Sequence, residues 1–183
     1  MSRKRLSLFV LLAVTALVGA GVAAAGHRAP SVQAASATFD ATTVTQHSLV
    51  TCSVNGGDTF QATRATYTGT AASSDPRLAG ALTIRAWSLV DTTNGVGHVF
   101  GLWRIRGVHT NAHGTLNAAL SGGKASGLAR GYVRGPWGHL VASLGAGFDP
   151  TAGFSSGSIG ASTPGAGFLR SGRWCHPPHW PQG

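Results

Sequence analysis

The chain has 183 residues, 27 of them Gly and 8 Pro, with 10% charged residues and a formal net charge of +9 from 14 Lys+Arg against 5 acids. All the acids are Asp, and the lysines are Lys4 and Lys124, so the Glu and Lys that cover the exposed faces of helical bundles and coiled coils are missing and an all-β fold is expected. A hydrophobic content of 43% excludes a disordered basic tail, and roughly 150 residues beyond the N-terminus suffice for one domain with its own core.

Residues 1–25 read as an export signal. Arg3, Lys4 and Arg5 form a positive n-region, Leu6 to Val18 an apolar run, and Ala23-Ala24-Ala25 an A-x-A cleavage site, with a second candidate site ending at Ala34. An uncleaved membrane anchor is the alternative, because the apolar stretch nearly spans a bilayer of about 30 Å. The expected location is outside the cell or in its envelope. Residues 26–41 form an N-terminal lead, 42–163 the folded domain and 164–183 a proline-containing tail. In an oxidising compartment the two cysteines, Cys52 and Cys175, are expected to pair. That disulfide would tie the tail back to the first strand and contribute about 4 to 5 kcal/mol in the chain-entropy model.

Between these limits the chain alternates Thr-, Val-, Leu-, Ala- and aromatic-rich stretches with turn residues, which predicts about eight strands, near 42–54, 59–70, 80–91, 96–106, 112–121, 124–134, 139–148 and 153–161. Asn94-Gly95 predicts a type I′ hairpin and Gly122-Gly123 plays the same part. Asn55-Gly56-Gly57-Asp58, Asp75-Pro76, Gly135-Pro136 and Asp149-Pro150 mark further reversals. Ala112, Gly114, Leu116, Ala118 and Leu120 share one face of their strand, as do Ala125, Gly127, Ala129, Gly131 and Val133, and Leu140, Ala142, Leu144, Ala146 and Phe148. Gly and Ala weaken a flat sheet but permit the coiling and close approach of a small closed barrel, which also removes exposed edges. A single up-and-down antiparallel barrel of about eight strands is therefore expected, with a two-sheet sandwich as the alternative.

The run Tyr67-Thr68-Gly69, Ser74 to Gly80, Gly95-Val96-Gly97 and Gly101-Leu102-Trp103 resembles small secreted bacterial proteins without known activity. More remotely, over about 58–161, the layout of long strands with a G-x-G-x-x-x-G run after a hairpin is similar to the allene oxide cyclase and dirigent type of barrel. That resemblance implies the fold. The acids with which dirigent proteins steer radical coupling have no match on these strands, so no catalytic residue is carried over.

Motifs for chemistry are sparse. Gly153-Phe154-Ser155-Ser156-Gly157 has the G-x-S-x-G spacing of a nucleophile elbow, yet its flanks read as strand and no acid follows Asp149. Asp58, Asp75, Asp91 and Asp149 fall at strand ends and turns, where Asp bonds the local backbone, and Asp40 falls in the lead. Paired-carboxylate catalysis is thus poorly supplied. Cys175-His176-Pro177-Pro178-His179 looks like a metal tract, but its prolines forbid a helical His pair. His98, His109, His113 and His139 gain meaning only if two converge. No metal, cofactor or catalytic residue is assigned.

Arg85, Arg104, Arg106, Arg130 and Arg134 lie on predicted strands among Trp87, Trp103 and Tyr132, without acids to balance them. They are the candidate anion- or ligand-binding surface, since an Arg fork pairs phosphate or carboxylate bidentately, and the bland alternative is a solvated outer face. The expected function is a non-enzymatic secreted module that binds a hydrophobic small molecule or an anionic envelope component. The alternative is an isomerase or cyclase acting on a hydrophobic small molecule in the barrel. Nucleic acid is not expected, for no recognition motif is present.

Overall fold

The computed structural model describes residues 32–53, 57–108, 110–134, 138–160 and 167–171, with backbone alone for Val32 and 167–171. The strands are β1 (Val32–Ala34), β2 (Ala37–Ser53), β3 (Thr59–Ala72), β4 (Gly80–Asp91), β5 (Val96–Arg106), β6 (Asn111–Ser121), β7 (Lys124–Val133), β8 (Gly138–Asp149), β9 (Gly153–Ile159) and β10 (Gly167–Ser171). Strands β2 to β9 pair in sequence order, each antiparallel to the next, and β9 returns to β2, so the sheet closes into an eight-stranded up-and-down barrel. β10 and β1 prolong the seam along the first half of β8.

Hairpin chemistry produces this order. At Gly122 and Gly123 both φ angles are positive, 54° and 73°, as a two-residue type I′ turn demands. The Asn94-Gly95 expectation needs correction. Only Gly95 has positive φ, and Thr92 to Gly95 all lie outside the Asp91↔Val96 pair, making a longer turn. The Asp91 carboxylate explains the difference: it accepts from the Thr93 N–H at 2.9 Å, the Asn94 N–H at 3.1 Å and the Asn94 side-chain amide at 2.7 Å. Two further expectations change at the ends of the chain. β2 begins at Ala37, inside the segment read as a lead, and β10 lies inside the segment read as a tail. Alternation was obscured there by Thr38 to Thr43, where β2 shifts register twice, between Asp40 and Thr43 and between Val44 and Gln46.

Closure has a measurable offset. The register path from Ala62 runs through Leu89, His98, Ala119, Ser126, Gly145, Ser158 and Thr38 and comes back to β3 at Ala72, ten residues along. An offset of that size requires strands tilted about 40° to the barrel axis and leaves an interior that side chains alone can fill. The inward positions are those expected from alternation: Ala112, Leu116, Ala118 and Leu120, Ala125, Ala129 and Val133, and Leu140 to Phe148 in steps of two are all buried. Aromatic rings complete the packing. Tyr67, Phe148 and Phe154 meet edge to face or tilted at centroid distances of 4.7 to 6.2 Å, and Phe39 joins them at 6.5 Å from Phe154.

Two rings occupy space that glycines leave open. Trp103 lies against Gly131 and Phe39 against Gly157, each where a Cβ would stand. The Trp103 indole N–H is satisfied by the Thr115 carbonyl at 3.0 Å. Tyr67, buried to 1% exposure, donates its hydroxyl proton to the Pro150 carbonyl at 2.7 Å. Burial first, and the negative Asp149 second, push its pKa up to about 12.

Replacing Gly131 by Ala is expected to cost about 1 to 3 kcal/mol, because the new methyl meets both the His113 carbonyl and the Trp103 ring. Gly145→Ala, whose methyl would meet only the Ser158 hydroxyl at 3.7 Å, should stay within about 0.5 kcal/mol of wild type. Urea unfolding of the two variants checks the contrast. Because the Tyr67 pKa is raised by folding from 10.0 to about 12, its contribution to stability is complete below pH 10.0 and is lost as pH rises toward about 12. Tyr67→Phe should remove that alkaline loss while costing about 1 kcal/mol near neutrality, read from unfolding curves across the same range.

Candidate functional site

The interior leaves little room for chemistry. An apolar gap lined among others by Phe39, Ile84, Trp103, Leu116 and Leu144 amounts to about 30 Å³, close to the space of a single water molecule. Two interior hydroxyls, Thr63 and Ser88, face each other across the β3–β4 ladder without a hydrogen-bond partner. The remaining polar groups that could engage a ligand are on the outside.

Outward positions on adjacent strands line up by register. One row runs Thr83, Arg104, His113, Tyr132, His139 across β4 to β8, and the next runs Arg85, Leu102, Thr115, Arg130 across β4 to β7. Arg106 faces Asn111, whose carbonyl accepts the Arg134 N–H at 3.1 Å. An open groove of about 890 Å³ follows these rows, lined by Arg85, Arg104, Arg106, Arg134, His113 and Tyr132 among others. Arg104 is steadied by a hydrogen bond from its Nε to the Asn111 side-chain oxygen at 3.2 Å, and Tyr132 is flanked by the rings of His113 at 6.0 Å and His139 at 4.7 Å.

Of the eight sequence candidates, Arg85, Arg104, Arg106, Arg134 and Tyr132 meet in this groove, and Trp103 reaches it only at an edge, being 7% exposed with its side chain directed inward. The periodicity of β5 accounts for Trp103: it shares the face of Val99 and Ile105, opposite Arg104 and Arg106. Arg130 lies one shallow depression away with Phe100, Thr115 and Leu128, and Trp87 in another with Arg64, His47 and Gln46. Arg64 was missed in the sequence. Its guanidinium sits 5.5 Å from the centre of the Trp87 ring, and Trp87 in turn stands 5.9 Å from Phe100. Register would have found it, since Arg64 is the β3 partner of Trp87.

Charge is separated along the barrel. Asp58, Asp91 and Asp149 sit at the end that carries the β2–β3, β4–β5, β6–β7 and β8–β9 connections, while Arg104, Arg106 and Arg134 sit toward the opposite end. Asp75, also at that opposite end, is taken by Arg77 in an ion pair of 2.7 Å and caps the Pro76–Leu78 turn. No carboxylate among the described residues lies within ion-pairing distance of any groove arginine. The groove therefore presents uncompensated cations beside aromatic and amide groups.

The other motifs resolve as follows. Gly153 to Gly157 lies wholly in β9 with Phe154 in the core, and the Ser156 N–H, at φ 48°, donates to Asp40 at 2.7 Å; strand, not a turn into a helix, surrounds this serine pair. Asp40 belongs to β2. His98 bonds Asn117 at 2.8 Å, and His113 and His139 flank Tyr132 on the outer wall rather than at a barrel mouth. Among the described residues no group of three or more His, Cys, Asp or Glu is placed to hold a metal ion. Cys52 is exposed on β2; Cys175, and with it the expected disulfide and the Cys175 to His179 tract, lies outside the described residues, as do His109 and the export signal. No helix among the described residues is long and apolar enough to cross a membrane. No protein-family model, curated protein or solved structure matches the chain.

Turn aspartates titrate with the fold. Hydrogen bonds from the Arg77 side chain, from Asn94 and from Thr151 hold Asp75, Asp91 and Asp149 respectively below the usual carboxylate range. Their depressed pKa values mean that the stability they add is present above that range and is lost as pH falls through it. Stability measured by urea unfolding should accordingly decline on acidification, and Asp149→Asn should make the decline shallower.

Proposed function

We propose that this protein is a non-enzymatic binding module of the cell envelope that attaches through its outer wall to an anionic polymer. One observation carries the reading: Arg85, Arg104, Arg106 and Arg134 converge on one groove with no aspartate in ion-pairing distance, although all five aspartates of the sequence lie among the described residues. Guanidinium groups are suited to that task because they pair phosphate or carboxylate through two parallel N–H donors and stay charged at any physiological pH. Tyr132 and Asn111 beside them provide a stacking face and an amide for the uncharged parts of a repeating unit, such as sugar rings. With Asp58, Asp91 and Asp149 at the end away from Arg104, Arg106 and Arg134, the barrel would be oriented as it approaches a negatively charged wall.

The filled interior argues against the alternative of a cyclase or isomerase, since about 30 Å³ cannot admit a hydrophobic substrate where ligand pockets run to hundreds of Å³. The export signal read at residues 1–25 is consistent with an envelope location.

Retention on immobilised poly(glycerol phosphate) and on polygalacturonate tests the proposal, with phosphatidylglycerol vesicles as a third surface. Binding to at least one of the two polymers is expected, weakening as salt rises above about 0.15 M because contacts at an open surface are screened. The Arg104→Ser, Arg106→Ser, Arg134→Ser triple variant should bind at least about tenfold more weakly, about 1.4 kcal/mol. Lys124→Ser, at the opposite end, should bind as wild type. Absence of binding to both polymers, or equal binding by the triple variant, would refute the reading.

A further inference from the structure

Only the first part of β2 is enclosed by the barrel. From Ala37 to Ala41 the strand is held on both sides, by β3 and by β9, whereas among the described residues Thr43 to Ser53 pair with β3 alone. The two register shifts beside Asp40 and Val44 bend it at that boundary, and beyond them nearly every residue is exposed, with Leu49 at 37% and Val50 at 63%. Among the described residues, the edge of β2 from Thr43 to Ser53 thus has no strand beside it, in a sheet that closes along its other barrel strands.

The composition of this edge is as informative as its geometry. Natural edges are guarded by Lys, Pro or inward charges, and Thr43 to Ser53 contains no Lys, Arg, Asp, Glu or Pro. Thr43, Val44, Thr45, Val50 and Thr51 are β-branched, the residues most at home in a paired strand. We infer that a second copy of this chain covers the edge: β2 pairs with β2 of its twin, antiparallel across a two-fold axis, through Thr43 to Ser53.

Charge favours a twin at this place. The chain is strongly basic, and two copies repel wherever arginines face arginines, but the β2 edge brings no charged β2 side chain to its counterpart. Antiparallel pairing of identical strands is self-complementary, as a closed dimer requires. The described segments of the same chain lie elsewhere. The described residues begin at Val32 and end at Ser171, where β1 and β10 lie beside Gly138 to Ala142, the start of β8 and the end of the barrel away from Ser53. Residues 172–183 include Pro177, Pro178 and Pro181, which cannot donate to a ladder.

Sedimentation velocity on protein recovered from expression of the full chain reads the state directly. Wild type should sediment as a dimer at micromolar concentration. Val50→Lys and Leu49→Lys should dimerise at least about tenfold more weakly with unchanged far-ultraviolet circular dichroism, and Leu89→Lys, on the outer wall of β4, should not. Should a β2 variant fail to fold, hydrogen exchange on the wild type decides: amides of Thr43 to Ser53 are expected to gain protection as concentration rises. A monomer at all concentrations, edge amides that stay unprotected, or protection conferred on a monomer by a co-purifying peptide would each overturn the proposal. None of these outcomes bears on polymer binding by the arginine groove.

Discussion

Closing eight strands with an offset of ten residues is the constraint on which the rest of this protein depends. A sheet closed in that way must tilt its strands, and the tilt sets both the width of the interior and the spacing of residues on the outer wall. Inside, the width is small enough that alanine, glycine and a few rings fill it. Trp103 over Gly131 and Phe39 over Gly157 show the working principle: where backbones approach too closely for a Cβ, a ring from a neighbouring strand supplies the missing contact. The Tyr67, Phe148 and Phe154 group then packs beside the β8–β9 connection, with the tyrosine hydroxyl anchored on the Pro150 carbonyl so that a polar atom can be buried there without an unpaired proton.

A filled interior moves interaction to the outside. In larger barrels polar residues gather in a ligand cavity, but here the wall is turned the other way, and the arginines, Tyr132 and the histidines project from outward positions. The same alternation that buries Ile84, Trp103, Leu116 and Val133 necessarily exposes Arg85, Arg104, Thr115 and Arg134 on the neighbouring positions. Core and surface are therefore two readings of one period-two pattern, and a shift of one residue in any strand would exchange them. Hairpin turns guard against that slip. Gly122-Gly123 and the Asp91 carboxylate each set the number of residues between strands, and Asp149 repeats the device through hydrogen bonds to Thr151 and Ala152.

Strand β2 departs from this economy. It is the longest described strand, 17 residues, yet the barrel holds it on both sides only from Ala37 to Ala41. Its bulges mark where the closed wall ends, because β9 runs only from Gly153 to Ile159 and can accompany β2 no further than Ala41. The stretch beyond, free of Lys, Arg, Asp, Glu and Pro, lacks the residues that usually guard a strand edge.

How much of this was legible depended on the range of the cause. Strand limits from Thr59 to Ile159 followed from turn residues and alternation, which act between near neighbours, and the burial of Ala112, Ala129 or Leu144 followed from the same pattern. The length of β2 did not, since its register shifts break the alternation that would have announced it, and Asp40 was read as lead for that reason. The outer arginines could be named one by one, but their company could not. Arg64 beside Trp87, and Arg106 beside Asn111 and Arg134, are brought together by register between strands distant in sequence. Sequence alone determined the all-β class, the places of most turns and the two faces of the strands from β3 to β9, because those are local properties of backbone and hydrophobicity. Only the tertiary structure decided that the outer arginines gather in one groove, that the interior is filled by side chains and that, among the described residues, β2 beyond Thr43 is paired on one side alone, because these depend on the offset at which the barrel closes.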